Sequence, residues 1–72
     1  MAGASRDDFE GLLNWLSRLG VLDAQNRDLI EDALFAVENG SQYRAERDLR
    51  TAAYNFRKAG QSEAAKAVER LL

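Results

Sequence analysis

The chain contains no proline, and after Gly11 its glycines fall where amphipathic segments end. Gly20, Gly40 and Gly60 each follow a stretch in which apolar residues recur three or four positions apart, as on one side of an α-helix. Glycine is favoured just after a helix because it adopts the left-handed conformation without a Cβ clash. The few β-branched residues are too scattered to make a strand. The sequence therefore predicts an all-α fold, a small antiparallel bundle of four helices at about 5–19, 24–38, 42–59 and 62–72.

Three of the predicted helices start at residues that suit helix N-caps. Ser5 with Asp8 three positions later resembles a capping box, Asp23 precedes the second helix and Ser41 precedes the third. The spacing of apolar residues then predicts which side of each helix faces the core. The predicted core-facing residues are Phe9, Leu12, Leu13, Leu16, Leu19; Leu29, Ile30, Ala33, Leu34, Val37; Ala45, Leu49, Ala52, Ala53, Phe56, Ala59; and Ala65, Val68, Leu72.

A chain of 72 residues makes one domain near the lower size limit for independent folding. We expect a disordered tail over residues 1–4 and a single helical domain over 5–72. A core of this size supplies only about 3–5 kcal/mol of stability. The chain has no cysteine and no histidine, so neither a disulfide nor the usual zinc, copper or haem ligand set can form. No metal or cofactor is expected, and partner binding or self-association is the predicted additional source of stability.

Enzyme activity is not expected, because no histidine is present to activate a nucleophile. Neighbouring carboxylates such as Asp7 and Asp8, or Glu31 and Asp32, point about 100° apart on a helix. Asp28 and Asp32 do share a helix face, which is most simply a solvated acidic face. The glycines are too far apart to form a phosphate-binding loop. No catalytic residue is therefore predicted.

No apolar run approaches the roughly 20 residues of a membrane-spanning helix. The first residues, 1–6, lack the apolar segment of a secretory signal. A cytoplasmic location is therefore predicted, and no membrane partner is expected.

Charge is unevenly distributed along the chain. Residues 1–39 carry eight acids and three bases, a balance of −5, whereas residues 40–72 carry four acids and seven bases, a balance of +3. Three arrangements are compatible with this asymmetry: pairing within the bundle, head-to-tail association of copies, or a basic face turned to an acidic partner.

The predicted third helix carries arginines and tyrosines on the side opposite its core-facing residues. Arginine and tyrosine are enriched at the energetic centres of protein interfaces, so this side is the predicted partner-binding surface. In one alternative, both tyrosines pack against the first helix and the arginines bridge to acids of the first two helices. In another, the arginines follow nucleic-acid phosphates and the tyrosines stack on bases, but a pI of about 5.0 disfavours that hypothesis. The predicted binding residues are Tyr43, Arg47, Arg50, Tyr54 and Arg57, with Lys58 beside them.

Two further aromatic residues are outlying candidates for partner binding. Phe35 lies off the apolar face of the second helix, near Asp28 and Asp32. It either packs against a second neighbouring helix or forms an exposed anchor for a partner. Trp15 lies at the edge of the apolar face of the first helix.

The last third of the chain, residues 49–72, resembles a helical hairpin of the tetratricopeptide-repeat family. The residues that match the family pattern are Leu49, the pair Ala52 and Ala53, Phe56, the turn residue Gly60, and Ala65. Leucine stands where the family usually has tryptophan, no proline follows the second helix, and no 34-residue repeat precedes the match. The resemblance implies close helix packing and binding of a peptide or protein without catalysis.

These patterns together predict a small helical adaptor or regulatory module that binds another protein, with an acidic surface or an acidic peptide as the expected partner. A self-assembling homo-oligomer and a nucleic-acid-binding protein are the alternatives.

Overall fold

The computed structural model describes residues 4–72 and confirms the predicted all-α bundle of four helices. The third helix ends one residue before its predicted end, because Ala59 is already its C-cap. The fourth ends at Glu69 rather than at 72, and the last residues form a turn in which the Leu71 N–H donates to the Val68 carbonyl over 3.1 Å. Residues 1–3 of the predicted tail lie outside the described residues, and Ala4 is partly buried against the core. The helices are α1 (Arg6–Leu19), α2 (Ala24–Glu38), α3 (Gln42–Lys58) and α4 (Ser62–Glu69).

The four helices form a closed ring in which each contacts only two others. Helix α3 packs on α2 and on α4, and α1 closes the ring by contacting α2 and α4. The Cα atoms of α1 and α3 nowhere come within 8 Å of each other, and those of α2 and α4 do not either. Helix α1 is therefore diagonal to α3. This arrangement decides which charged side chains can meet.

One hydrophobic core fills the centre of the ring, and the predicted core-facing residues supply most of it. The exceptions are Leu19, which is 51% exposed, Leu72, which is 37% exposed, and Ala59. All three lie at or beyond the last turn of their helices, where no neighbouring helix covers them. The sequence prediction missed the buried Ala36 and Ala64. The residues that are fully buried with the largest side chains are Phe9, Phe56, Leu16, Ile30, Leu49 and Val68.

All three predicted N-cap residues occupy the N-cap positions of their helices, and two of them make a side-chain capping hydrogen bond. The Asp8 N–H donates to the Ser5 hydroxyl over 3.4 Å while the Ser5 N–H donates to the Asp8 carboxylate over 2.9 Å, which is a capping box. The Asp23 carboxylate accepts the Asn26 N–H over 2.7 Å. Ser41 occupies the N-cap position of α3 but makes no side-chain capping hydrogen bond. Its backbone is not in the extended conformation that orients a capping hydroxyl.

Helices α1, α2 and α3 end in the same left-handed glycine turn. At the end of α3, Gly60 has φ +78°, the Gly60 N–H donates to the Arg57 carbonyl over 2.9 Å, and the Gln61 N–H donates to the Phe56 carbonyl over 2.8 Å. These two bonds define a Schellman motif, which satisfies carbonyls that the helix end would otherwise leave free. The turn directs α4 back along α3.

We expect opposite effects from the same substitution at two glycines. A Cβ added at either Gly60 or Gly11 would meet no other atom within 4 Å, so backbone conformation alone decides the outcome. Gly60→Ala forces a left-handed conformation on alanine and should lower the free energy of unfolding by about 1–2 kcal/mol. Gly11→Ala, inside α1, should raise it by about 0.5–1 kcal/mol. Urea denaturation followed by circular dichroism measures both, and shifts of the same sign would contradict the assignment.

Candidate functional site

Helix α3 has one buried side and one exposed side, as the sequence predicts. Ala45, Leu49 and Phe56 are fully buried. On the opposite side, Tyr43 is 76% exposed and Tyr54 is 63% exposed. Two large aromatic side chains are therefore exposed on the same face of one helix. We call the exposed side, defined by Tyr43, Arg47, Arg50, Tyr54 and Arg57, the Arg/Tyr face.

The three arginines of the Arg/Tyr face are about half exposed, and each lies near a carboxylate of α3 or α4. The alternative in which they bridge to acids of the first two helices, with both tyrosines packed on the first, is therefore wrong. Helix α1 lies diagonal to α3, which keeps its acids away, and within residues 4–72 no acid of the adjacent α2 comes within 4 Å of these arginines. The pairs and their N···O distances are Arg47–Asp48 at 3.7 Å, Arg50–Glu46 at 3.4 Å and Arg57–Glu69 at 2.5 Å.

A shallow groove of about 240 Å³ runs between α3 and α4 beside the Arg/Tyr face. Ala53 and Leu72 provide its apolar surface, and Tyr54 lines it as well. Arg50 and Arg57 supply positive charge, and Glu69, the ion-pair partner of Arg57, is the one acid in the lining. The groove thus combines a small apolar surface, an aromatic ring and two guanidinium groups.

Phe35 lies on α2, away from the Arg/Tyr face. It is 63% exposed, so the expectation that it packs against a second neighbouring helix is wrong. Helix α2 contacts only α1 and α3, and Phe35 is on the side turned away from both. Asp28 and Asp32 are exposed on the same side and form no ion pair within residues 4–72. This surface therefore carries two carboxylates that are unpaired in this part of the chain, and one exposed aromatic ring.

Trp15 is 39% exposed and lines a different groove, between α1 and α4. Leu12, Ala67 and Leu71 form the apolar part of that groove. The structure therefore brings together the five residues of the Arg/Tyr face, whereas Phe35 and Trp15 each lie on a separate surface.

A buried polar contact between α2 and α3 was not expected from the sequence. Asn26 is only 5% exposed, and its carbonyl oxygen accepts a hydrogen bond of 3.1 Å from the Asn55 amide. The Asn26 amide in turn donates to the Asp23 carboxylate over 3.4 Å. Asn26 lies four residues before Ile30 and therefore continues the core-facing side of α2. That spacing is the sequence signal that could have revealed its burial. The hydrogen bond between the two amides fixes how α2 and α3 align. Each amide has a hydrogen-bond partner, and neither is a reactive group.

Arg6 joins α1 to α2 through a two-pronged ion pair with Glu38. Its Nε lies 2.9 Å from Oε2 and its Nη2 lies 2.6 Å from Oε1. Hydrogen bonding to Glu38 and the charge of that carboxylate raise the pKa of Arg6 above its usual value. A carboxylate of the acidic first half of the chain is thereby neutralised inside the same molecule.

Over residues 4–72 no three potential histidine, cysteine or carboxylate metal ligands lie close together. In the same part of the chain no helix combines the length and the apolar character that a bilayer span requires.

Comparisons with models of known protein families, with curated proteins and with solved structures find no significant match for this chain. Helices α3 and α4 pack together, and Leu49, Ala52, Phe56 and Ala65 are fully buried in the core; these contacts do not test the resemblance of residues 49–72 to a tetratricopeptide-repeat hairpin. Membership of that family stays a prediction.

Proposed function

We propose that this protein is a small cytoplasmic adaptor or regulatory module that binds another protein through the Arg/Tyr face of α3, without catalysis. The observation that supports the proposal is the exposure of Tyr43 and Tyr54 on the same helix side as three arginines. Tyrosine and arginine supply large contact area and directional hydrogen bonds, and they dominate the energetic centres of protein interfaces.

The groove between α3 and α4 indicates what kind of partner fits. A partner side chain that contacts Leu72 and the Tyr54 ring, both of which are exposed, removes apolar surface from water. A carboxylate beside it can accept hydrogen bonds from Arg50 and Arg57. Their present ion pairs are solvent-exposed, and such pairs contribute only about 0–1 kcal/mol, so exchanging them costs little. An acidic peptide or an acidic helix with one apolar anchor is the proposed partner.

Nucleic acid suits this surface less well. Glu46 and Glu69 lie next to the arginines, and the chain carries a net charge of −2. A phosphate backbone is uniformly negative and would meet these carboxylates along its length, whereas a protein partner can place a base or a hydrogen-bond donor opposite them. A titration of labelled DNA and RNA at low salt tests this alternative, and binding that falls steeply with salt would favour it over the proposal.

The double variant Arg50→Glu with Tyr54→Ala should abolish partner binding while leaving the helical content unchanged. Both side chains are more than half exposed, so neither contributes to the core. The measurement is selection from a displayed random-peptide library. We expect the wild-type chain to enrich acidic peptides that contain an apolar residue, with binding lost by at least tenfold in the variant.

The matched control is Arg18→Glu with Leu19→Ala, which reverses an exposed arginine and truncates an exposed apolar side chain on α1. It changes the net charge equally and should bind like the wild-type chain. Equal loss in both variants, or enrichment of peptides without acidic residues, would contradict the proposal.

A further inference from the structure

The side of the bundle formed jointly by α2 and α3 carries opposite charges on its two helices. On α2, Asp28, Asp32 and Phe35 recur four and three positions apart and therefore share one exposed face. We call this the acidic row. It begins two residues after Asn26, which accepts a hydrogen bond from Asn55 of α3.

A basic row lies beside it on α3. Arg44, Arg47 and Lys58 are exposed at positions three and eleven apart, with Thr51 between them on the same face. The ion pair between Arg57 and Glu69 shows which side of α3 faces α4. The basic row faces away from that side. Arg44 and Lys58 form no ion pair with any other residue of the part described, 4–72.

The two rows are neighbours, yet no ion pair of 4 Å or less joins Asp28 or Asp32 to a base of α3 within residues 4–72. The hydrogen bond between Asn55 and Asn26 fixes which residues of α2 and α3 lie side by side. Each row therefore points outward with its charge not neutralised by the other. Exposed charges of opposite sign on one face are complementary to a rotated copy of the same face.

We propose that two copies of this chain associate through this face about a two-fold axis parallel to α2 and α3. Such an axis places the acidic row of each copy on the basic row of the other, so that the same contacts form twice and the assembly closes. Phe35 then lies level with Arg44 and Arg47 of the other copy, where a guanidinium group can stack on its exposed ring. The groove beside the Arg/Tyr face lies on the α4 side of α3, so the second copy does not cover it. The two surfaces share Arg47, but no step of the inference uses the proposed binding of another protein.

Sedimentation equilibrium over a range of concentrations tests the association. At about 0.01 M salt we expect an apparent mass close to twice the 8.0 kDa of the single chain, falling toward the single-chain value at about 1 M salt as screening weakens the charge contacts. A mass of 8.0 kDa at every concentration and low salt would overturn the proposal. A mass that keeps rising with concentration would also overturn it, because a two-fold pair is closed.

Charge reversal then identifies the surface. The variants Asp28→Lys with Asp32→Lys, and Arg44→Glu with Lys58→Glu, should each be a single chain, because like charges then oppose each other across the axis. Their equimolar mixture should restore the double mass. In the mixed pair, the two basic rows of one variant lie on the two acidic rows of the other. A mixture that stays at the single-chain mass, or a variant that still pairs alone, would show that another surface is used.

Two matched measurements separate this result from loss of folding. Circular dichroism should show the same helical content for both variants and the wild-type chain. Asp7→Lys with Glu63→Lys changes the net charge as much as the acidic-row variant but lies on α1 and α4, and it should pair like the wild-type chain. Peptide binding through the Arg/Tyr face should persist in the acidic-row variant, whose changes lie on α2, so the two proposals fail independently.

Discussion

Phe56→Ala should leave most of the chain unfolded at 25 °C. Phe56 is fully buried on the core-facing side of α3, in its last turn, and α3 is the helix that contacts both α2 and α4. Truncating a buried phenylalanine costs about 3–5 kcal/mol, through lost burial and the cavity left behind. A core of this size supplies only about 3–5 kcal/mol in total. The expected loss therefore matches the whole stability of the domain.

The control is the same change at Phe35, whose ring is 63% exposed. Phe35→Ala should stay within about 0.5 kcal/mol of the wild-type free energy of unfolding, as surface substitutions usually do. Thermal and urea denaturation followed by circular dichroism measure both variants at a concentration where self-association is negligible. Comparable stability of the two alanine variants would contradict the core described for this bundle.

Features that depend on a few adjacent residues were predictable from the sequence. The capping box of Ser5 and Asp8 and the left-handed turn at Gly60 each arise from local backbone geometry, so the residue types alone indicate them. The core-facing sides followed from the 3.6-residue period, and most of their members are buried. The number, order and approximate bounds of the helices were therefore accessible without a structure.

The partners of the arginines were not predictable, because they depend on how the helices are arranged around the core. The charge asymmetry of the chain suggested pairing between the basic second half and the acidic first half. In the ring, α1 lies diagonal to α3, and Arg57 instead meets Glu69 of α4. Short loops make consecutive helices neighbours, but no sequence pattern indicates which carboxylate comes within 4 Å of each arginine. For the same reason the sequence left two possibilities open for Phe35, whose exposure depends on where α1 and α3 lie around α2.

The limits of periodicity are clearest within α3 itself, and they lead to the second large effect. Ala52 and Ala59 belong to the same predicted core-facing stripe, seven residues or about two turns apart. Ala52 is fully buried where α3 meets its neighbours, whereas Ala59 is the C-cap and is exposed. The stripe predicts the same environment for both. The end of the helix makes them different.

Ala52→Leu should lower the free energy of unfolding by about 1–3 kcal/mol, because the added carbons have no space in a core already packed around a small residue. Alanine and leucine have similar helix propensities, so a propensity change cannot account for a loss of this size. Ala59→Leu adds the same atoms in solvent and should change stability by less than about 0.5 kcal/mol. Urea denaturation of both variants, monitored by circular dichroism, measures the difference. Equal midpoints would mean that α3 does not approach its neighbours as closely as its buried alanines indicate.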